Sequence, residues 1–530
     1  MKTGSSILKN IYLVPSYSQP TSPIRTYASS MPLTMLVAIL SAATAALTYF
    51  VYHVGRSPSL PFPPGPPQDP IIGHLRCMPS KRRATVFHKW AKIYGDVIYL
   101  NVLGKSMIVL NTEKVALDLL TKRSSIYSDR PRFVLYEMIG WSTTLSLMPY
   151  GKQFMRQRRL HQSYLSRDKC REFRSMQTLE ARTLVKNLLE SAPEGYSNLI
   201  NRFSTGVTSQ IVAGHRILSD DDPYMRTTQA LRDSLGRSGV PGSTALDFLP
   251  FLRYLPAWFP GFPFGAIARE CRPRLQRLYD LSLQAVKHDM VSRLAKPSFL
   301  RTQLERMGDT TEPQNYDDIK WAAAGMFGST IWSTVTVFVL AMLLHPEYQI
   351  KAKEEIDSVV GKSRLPDFDD REHLPLVECI MQETLRWKPP TELGVPHRLM
   401  EDDVYEGMFI PAGSTVFANI RAMSLDESRY SSPETFYPER FFPKPEGKGE
   451  PYFASVYGFG RRICSGQHLA DQSLWIAIAT ILASCTISNA YDKHGNVIVP
   501  DQSMSDGVSS HPNDFSCVFS CRDPKLRAWL

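Results

Sequence analysis

The sequence predicts a mainly α-helical protein with a minor β-sheet. Long apolar runs recur at helical spacing, above all 321–344 and 468–487. Strand-like runs are short: Val97–Val102 and 107–110, joined through Gly104-Lys105, read as one small hairpin. At 530 residues, 43% apolar and 21% charged, the chain is long enough to bury a large core. There is no internal repeat, and the one low-complexity tract is a proline stretch.

Residues 1–31 form an N-terminal extension with Lys2, Lys9 and Arg25 and no acid, the first acidic residue of the chain being Asp69. As a transit peptide this stretch has too little basic charge and too weak an amphipathic pattern. Residues 32–54 carry no formal charge apart from titratable His53, and about 20 such residues cross a hydrocarbon core. They predict a single transmembrane helix. Arg56, Arg76, Lys81, Arg82 and Arg83 follow it, so the positive-inside rule places the rest of the chain in the cytosol. Residues 55–70, with Pro61-Phe62-Pro63-Pro64-Gly65-Pro66-Pro67, read as an extended hinge, because proline fixes φ and removes the donor. Residues 71–530 are the body, opening with a helical piece at 81–94.

The eight cysteines are dispersed, without CxxC or zinc spacing, and read as reduced thiols facing the cytosol. The net charge of +10 would suit nucleic acid, an anionic membrane or an acidic protein. No basic run with interleaved aromatics supports nucleic acid, which leaves the membrane and an acidic partner.

Tyr457-Gly458-Phe459-Gly460-Arg461-Arg462-Ile463-Cys464-Ser465-Gly466 runs straight into the apolar helix at 468–487. A thiolate ligand must stay deprotonated, and Arg461, Arg462 and the following helix dipole are expected to favour that form. The three glycines permit φ > 0 and let backbone N–H groups approach the sulfur. The plainer reading is a buried free cysteine after a glycine-rich turn. This stretch resembles the haem-binding loop of the cytochrome P450 family, Phe-x-x-Gly-x-Arg-x-Cys-x-Gly, with Tyr457 in place of phenylalanine. The resemblance implies the P450 fold, haem b (iron protoporphyrin IX) with Cys464 as axial thiolate and metal ligand, and Phe459, Gly460, Arg462 and Gly466 among the cofactor-binding residues.

Further motifs follow the family's order over roughly residues 60–525. Arg158 matches the arginine of Trp-x-x-x-Arg, which holds a haem propionate, while Phe154 stands where tryptophan is usual. Glu383 and Arg386 lie at i and i+3 on one helix face, a pairing that on a surface is worth little. With Arg440 of Pro438-Glu439-Arg440-Phe441 they resemble the family's structural lock beneath the haem loop. His397, and second to it Arg398, occupy the position that contacts a propionate. In the distal helix Thr330 falls on the proton-relaying threonine and Ser329 on the usual acid, and both are taken as catalytic candidates. Arg421 stands where tryptophan is usual. Substrate contacts are expected around 137–147, 324–327, 394–395 and 505–509.

The resemblance implies a monooxygenase that inserts one oxygen atom of O2 into an apolar small molecule. Its partners would be an NADPH-dependent cytochrome P450 reductase, with cytochrome b5 as a second candidate, and its place the endoplasmic reticulum membrane, single-pass, with a cytosolic catalytic domain. Arg156, Arg159, Lys444, Lys448 and Arg461 are candidates for meeting an acidic reductase. The stretches 254–261 and 387–390 resemble membrane-bound fungal, basidiomycete enzymes of secondary metabolism and xenobiotic oxidation. Two rivals stand beside this reading: a haem-dependent isomerase, dehydratase or peroxide-driven catalyst, which Ser329 favours, and a degenerate haem-binding protein without turnover.

Overall fold

The computed structural model describes residues 60–530 apart from 237–241, 243, 257, 261, 309–312 and 329. Before residue 60 it describes only Val37, Leu40, Ser41, Thr44 and Thr48, all helical, with the Ser41, Thr44 and Thr48 hydroxyls donating to carbonyls four residues back. The expected membrane helix at 32–54 otherwise lies outside the described residues, as does Ser329. Two compact units are distinguished, Met1–Ser59 and Leu60–Leu530, and the numbered helices and strands all belong to the second.

The proline stretch is extended but docked. Tyr99 N–H donates to Pro64 O at 3.0 Å and Phe409 N–H to Pro61 O at 2.7 Å. Phe62 stacks on Tyr99 with ring centroids 4.5 Å apart. From Leu60 onward the expected hinge is therefore part of the body, because prolines that cannot donate still offer carbonyls to strands.

Helix α1 (Arg83–Tyr94) ends at Gly95, which takes φ 96 and returns its N–H to Ala91 O. Strands β1 (Val97–Val102) and β2 (Lys105–Leu110) form the expected hairpin, Val102 opposite Lys105. Leu103 and Gly104 both have positive φ, 51 and 80, the requirement of a two-residue turn whose twist matches the strands. Helices α2 (Lys152–Tyr164) and α3 (Arg174–Leu188) follow.

The distal run is not one helix. It splits into α4 (Pro313–Met326) and α5 (Ile331–Leu344). At the break Phe327 N–H and Gly328 N–H turn back three residues, to Ala324 O and Gly325 O, and the α pattern resumes with Thr334 N–H to Thr330 O. Gly325, Gly328 and Thr330 offer the backbone alternatives to the helical ladder, which uniform apolarity had hidden. The stretch Tyr316–Leu344 has the length and hydropathy to cross a membrane, yet most of it is buried inside the protein, which marks it as core.

Helix α6 (Pro375–Trp387) starts on a proline at its first position and stops before Pro389-Pro390. Then come β3 (His397–Arg398), β4 (Asp403–Tyr405), β5 (Met408–Ile410) and β6 (Thr415–Ala418). The main sheet runs β1-β2-β6-β3, with β2 and β6 parallel and its other neighbours antiparallel. Helix α7 (Gln467–Ser484) is apolar all round and buried from Gln472 to its end, packed among α3, α5 and α6. It passes into β7 (Cys485–Asn489), which pairs antiparallel with β8 (Cys517–Cys521). The largest core gathers around α5 and α7, and a second lies under the sheet.

Candidate functional site

Cys464 stands three residues before Gln467, the first residue of α7, at the end of a loop held by its own backbone. Cys464 N–H donates to Tyr457 O at 2.8 Å, and Gly466 N–H points at the sulfur. Two of the three glycines use their conformational freedom, Gly458 at φ 80 and Gly460 at φ 52, whereas Gly466 has an ordinary negative φ of −96. A Cβ on Gly460 would lie 2.1 Å from Leu120 O, a backbone atom that cannot swing aside. Gly460→Ala is expected to cost about 1–3 kcal/mol or more in stability, read as a lowered denaturation midpoint.

The Cys464 side chain has accessible surface although protein encloses it on many sides, as a thiol does that faces an internal cleft and not bulk solvent. Burial pushes its pKa up; the Gly466 N–H and the charge of Arg158 pull it down. This corrects the expectation that Arg461 and Arg462 supply the positive field. Arg461 is exposed and donates to the Tyr150 hydroxyl at 2.7 Å. Arg462 is buried and its guanidinium donates to Ser128 O (2.6 Å), Leu145 O (3.2 Å) and Met148 O (3.0 Å). Arg158, from α2, donates to Ile463 O at 2.6 Å and is the cation that acts on the thiol.

Phe154 does not restore the lost indole donor. Its ring lies under the Arg462 guanidinium at 3.8 Å, a cation–π support in place of a hydrogen bond. On β3 the two propionate candidates separate by strand alternation: His397 is buried and Arg398 points outward. His397 Nδ1 donates to Tyr127 O at 2.8 Å, while Arg398 is tied to Asp129 through Nε at 2.7 Å. Arg398 is therefore engaged away from the buried cluster.

Two residues of this cluster escaped the sequence. Arg130 is buried and donates to Ser146 O (2.9 Å), Val395 O (2.7 Å) and Pro396 O (2.9 Å). Burial and the Arg462 charge push its pKa down, as burial and the Arg130 and Arg462 charges do for His397. No periodicity flags an arginine set between Asp129 and Pro131. His161 joins the loop to the distal helix: Nε2 donates to Ala322 O at 2.9 Å, which leaves Nδ1 to accept from the Ser465 hydroxyl at 2.8 Å. Its i+3 spacing from Arg158 was the available signal.

Burial pushes His161 down to about 4, so it is neutral in the folded protein at neutral pH. An unfolded histidine titrates near about pH 6.5, so the unfolded chain takes up the proton first as pH falls below that value, and stability drains until the folded form protonates too. His161→Gln is expected to lose about 1–3 kcal/mol at neutral pH. It is also expected to show a shallower loss between about pH 6.5 and about pH 4.5, by up to ~1.4 kcal/mol per pH unit, in urea denaturation.

Thr330 sits at the start of α5 and its hydroxyl makes no capping bond to that helix. Glu383, Arg386 and Arg440 come together at 0% side-chain exposure. Arg386 grips the carboxylate with Nε and Nη2, both at 2.7 Å, and Arg440 Nε reaches it at 3.0 Å. Tyr457, in place of phenylalanine, buries a hydroxyl with no hydrogen-bond partner among the described residues. Of the reductase candidates Arg156 drops out, its Nε bound to buried Asp318 at 2.5 Å, while Arg159, Lys444 and Lys448 are exposed. Glu137, in an expected substrate loop, is paired with Arg132 and Arg253.

Among the described residues no group of three or more His, Cys, Asp or Glu side chains is placed to hold a metal ion. The charges that act on Arg130, Arg462 and His397 include one carboxylate, Asp129, which Arg398 already holds. A buried excess of cations beside a cleft-facing thiol fits a cofactor carrying a metal and carboxylates, which is the signature of a haem-thiolate protein. The comparisons agree. The Cytochrome P450 family model matches residues 63–517. Cytochrome P450 monooxygenases 136 and 176 of Postia placenta are 36% and 38% identical over 508 and 472 residues, covering 93% and 87% of this chain and 94% and 91% of theirs. A cytochrome P450 monooxygenase of Armillaria gallica is 36% identical over 477 residues, 88% of this chain and 93% of its own. The chain belongs to the cytochrome P450 family, whose members bind haem through an axial cysteine. All three relatives are named monooxygenases, which lends the isomerase and degenerate readings no support.

Proposed function

We propose that the chain is a membrane-anchored, reductase-dependent monooxygenase acting on an apolar small molecule of secondary metabolism or xenobiotic oxidation. The observation that carries this reading is the conjunction of a cleft-facing Cys464 with the buried cations Arg130 and Arg462, the half-buried Arg158 and the buried imidazole of His397. Haem b bound there would supply O2 activation, favoured by a thiolate that pushes electron density onto the iron. These four side chains would hold its two carboxylates, with Arg398 outside that set, and Phe459, Gly460 and Gly466 would line it. Thr330, free of a capping bond, would hold and pass on a proton at the break between α4 and α5, with Ser329 next to it in sequence. A serine hydroxyl relays protons but is a poor acid, so Thr330 would need a water or substrate hydroxyl as its source.

The exposed cations Arg159, Lys444, Lys448 and Arg461 would meet an acidic flavoprotein reductase, or cytochrome b5, by charge complementarity. Residues 32–54 would anchor the chain in the endoplasmic reticulum membrane with its catalytic domain in the cytosol. Microsomes carrying the chain, NADPH and reductase are expected to convert apolar compounds to products one oxygen atom heavier, with none formed when reductase is omitted. Turnover without reductase or O2 would overturn the reading.

A further inference from the structure

The strand pair at the C-terminal end of α7 sets two thiols face to face. In the β7–β8 ladder Cys485 is directly opposite Cys521. Facing residues of an antiparallel ladder alternate between hydrogen-bonded and non-hydrogen-bonded pairs, and the neighbouring bonds fix which kind this is. Arg522 N–H donates to Ser484 O at 2.9 Å, so the pair one step outward is bonded. Two steps inward, Ile487 turns both backbone groups away from β8 to the Gln349 side chain, its N–H to Oε1 at 2.8 Å and its carbonyl accepting from Nε2 at 3.0 Å. Two steps further, Cys517 N–H donates to Pro193 O at 3.1 Å. All three mark 485/521 as a non-hydrogen-bonded pair.

At such a pair the Cα atoms approach to about 4.5 Å, within the roughly 4.4–6.8 Å that a disulfide spans. Both side chains leave the sheet on one face, and the charge of the Cys521 thiolate acts directly on Cys485. Cys485 is buried and Cys521 half-buried at the end of its strand.

We propose that Cys485 and Cys521 are a redox-modification site that closes to an intramolecular disulfide by exchange with a low-molecular-weight disulfide, with oxidised glutathione as its representative. The Cys521 thiolate attacks one glutathione sulfur, the glutathione S–S bond breaks, and one reduced glutathione leaves. Cys485 then attacks the Cys521 sulfur and displaces the second. The two protein thiols lose two electrons and two protons in all, and both appear in the two glutathione thiols. Burial pushes the Cys485 thiol up to about 12, which makes the more open Cys521 the first nucleophile.

The bond would tie the base of the 490–516 connection, whose far end props the distal helix. Ser333 of α5 donates to Ser510 O, Ser510 N–H donates to Pro390 O at 2.7 Å, and the His511 and Trp332 rings lie 4.7 Å apart. Purified haem-loaded protein treated with oxidised glutathione, alkylated with N-ethylmaleimide in denaturant and digested without reduction tests the proposal. The expected product is a peptide pair joined through Cys485 and Cys521, absent from Cys521→Ser protein that keeps its carbon monoxide spectrum. Recovery of Cys485 in alkylated form, with Cys521 alkylated or carrying one glutathione, would overturn it.

Discussion

Cys464→Ser is expected to remove the thiolate-type Soret band from the reduced, carbon monoxide difference spectrum while the chain still folds. The serine hydroxyl has nearly the volume of the thiol, so the contacts of the loop survive: Tyr457 O still accepts from the residue 464 N–H, and Arg158 still donates to Ile463 O. What is lost is an anionic sulfur. Arg158 and the Gly466 N–H oppose the burial that pushes the Cys464 thiol up, and neither can ionise a hydroxyl buried in the same place. Monooxygenase turnover is expected to fall below detection, with the denaturation midpoint of the haem-free protein within about 0.5 kcal/mol of the parent, since no cavity or orphaned group is created. A thiolate-type band in the variant would remove Cys464 from the iron.

Local signals made the loop, the hairpin and the lock legible in the sequence. Gly458 and Gly460 are glycine because the chain turns through positive φ there, and Leu103-Gly104 is a turn for the same reason. The sequence named Arg461 and Arg462 as the charges on the thiol because they are its neighbours in the chain, yet the cation that acts on it is Arg158, some 300 positions away. Arg130 was missed for the same reason, since it works through carbonyls brought in by other elements, and for His161 the i+3 spacing from Arg158 marked the helix face but not the Ser465 and Ala322 contacts made from it. The broken distal helix shows the opposite limit. Apolar residues on every side predicted one rod, while Gly325, Gly328 and Thr330 decided the backbone.

Glu383→Gln is expected to be the most destabilising change in the body. The carboxylate stands between two guanidinium groups, all three side chains at 0% exposure, and Arg440 retains one other carboxylate, Glu450, at 2.7 Å. Removing the charge leaves Arg386 buried without an anion, and breaking such a pair from one side costs about 3–5 kcal/mol. That is a large part of a domain's ~5–15 kcal/mol, so little haem-loaded protein is expected from microsomes and its denaturation midpoint should fall steeply. Replacing all three residues by apolar ones is the informative second variant. Were the lock only an ion triad, that replacement would be close to neutral. The arginines, however, also hold the 424–435 segment by its carbonyls: Arg386 donates to Ser424 O, Pro433 O and Thr435 O, and Arg440 to Ser431 O and Thr435 O. Apolar side chains would orphan those carbonyls at about 1–3 kcal/mol each where buried. The triple variant is therefore expected to remain unstable, and its recovery to parental stability would show that the carboxylate, and not the carbonyl clamp, is what the two arginines are there to hold.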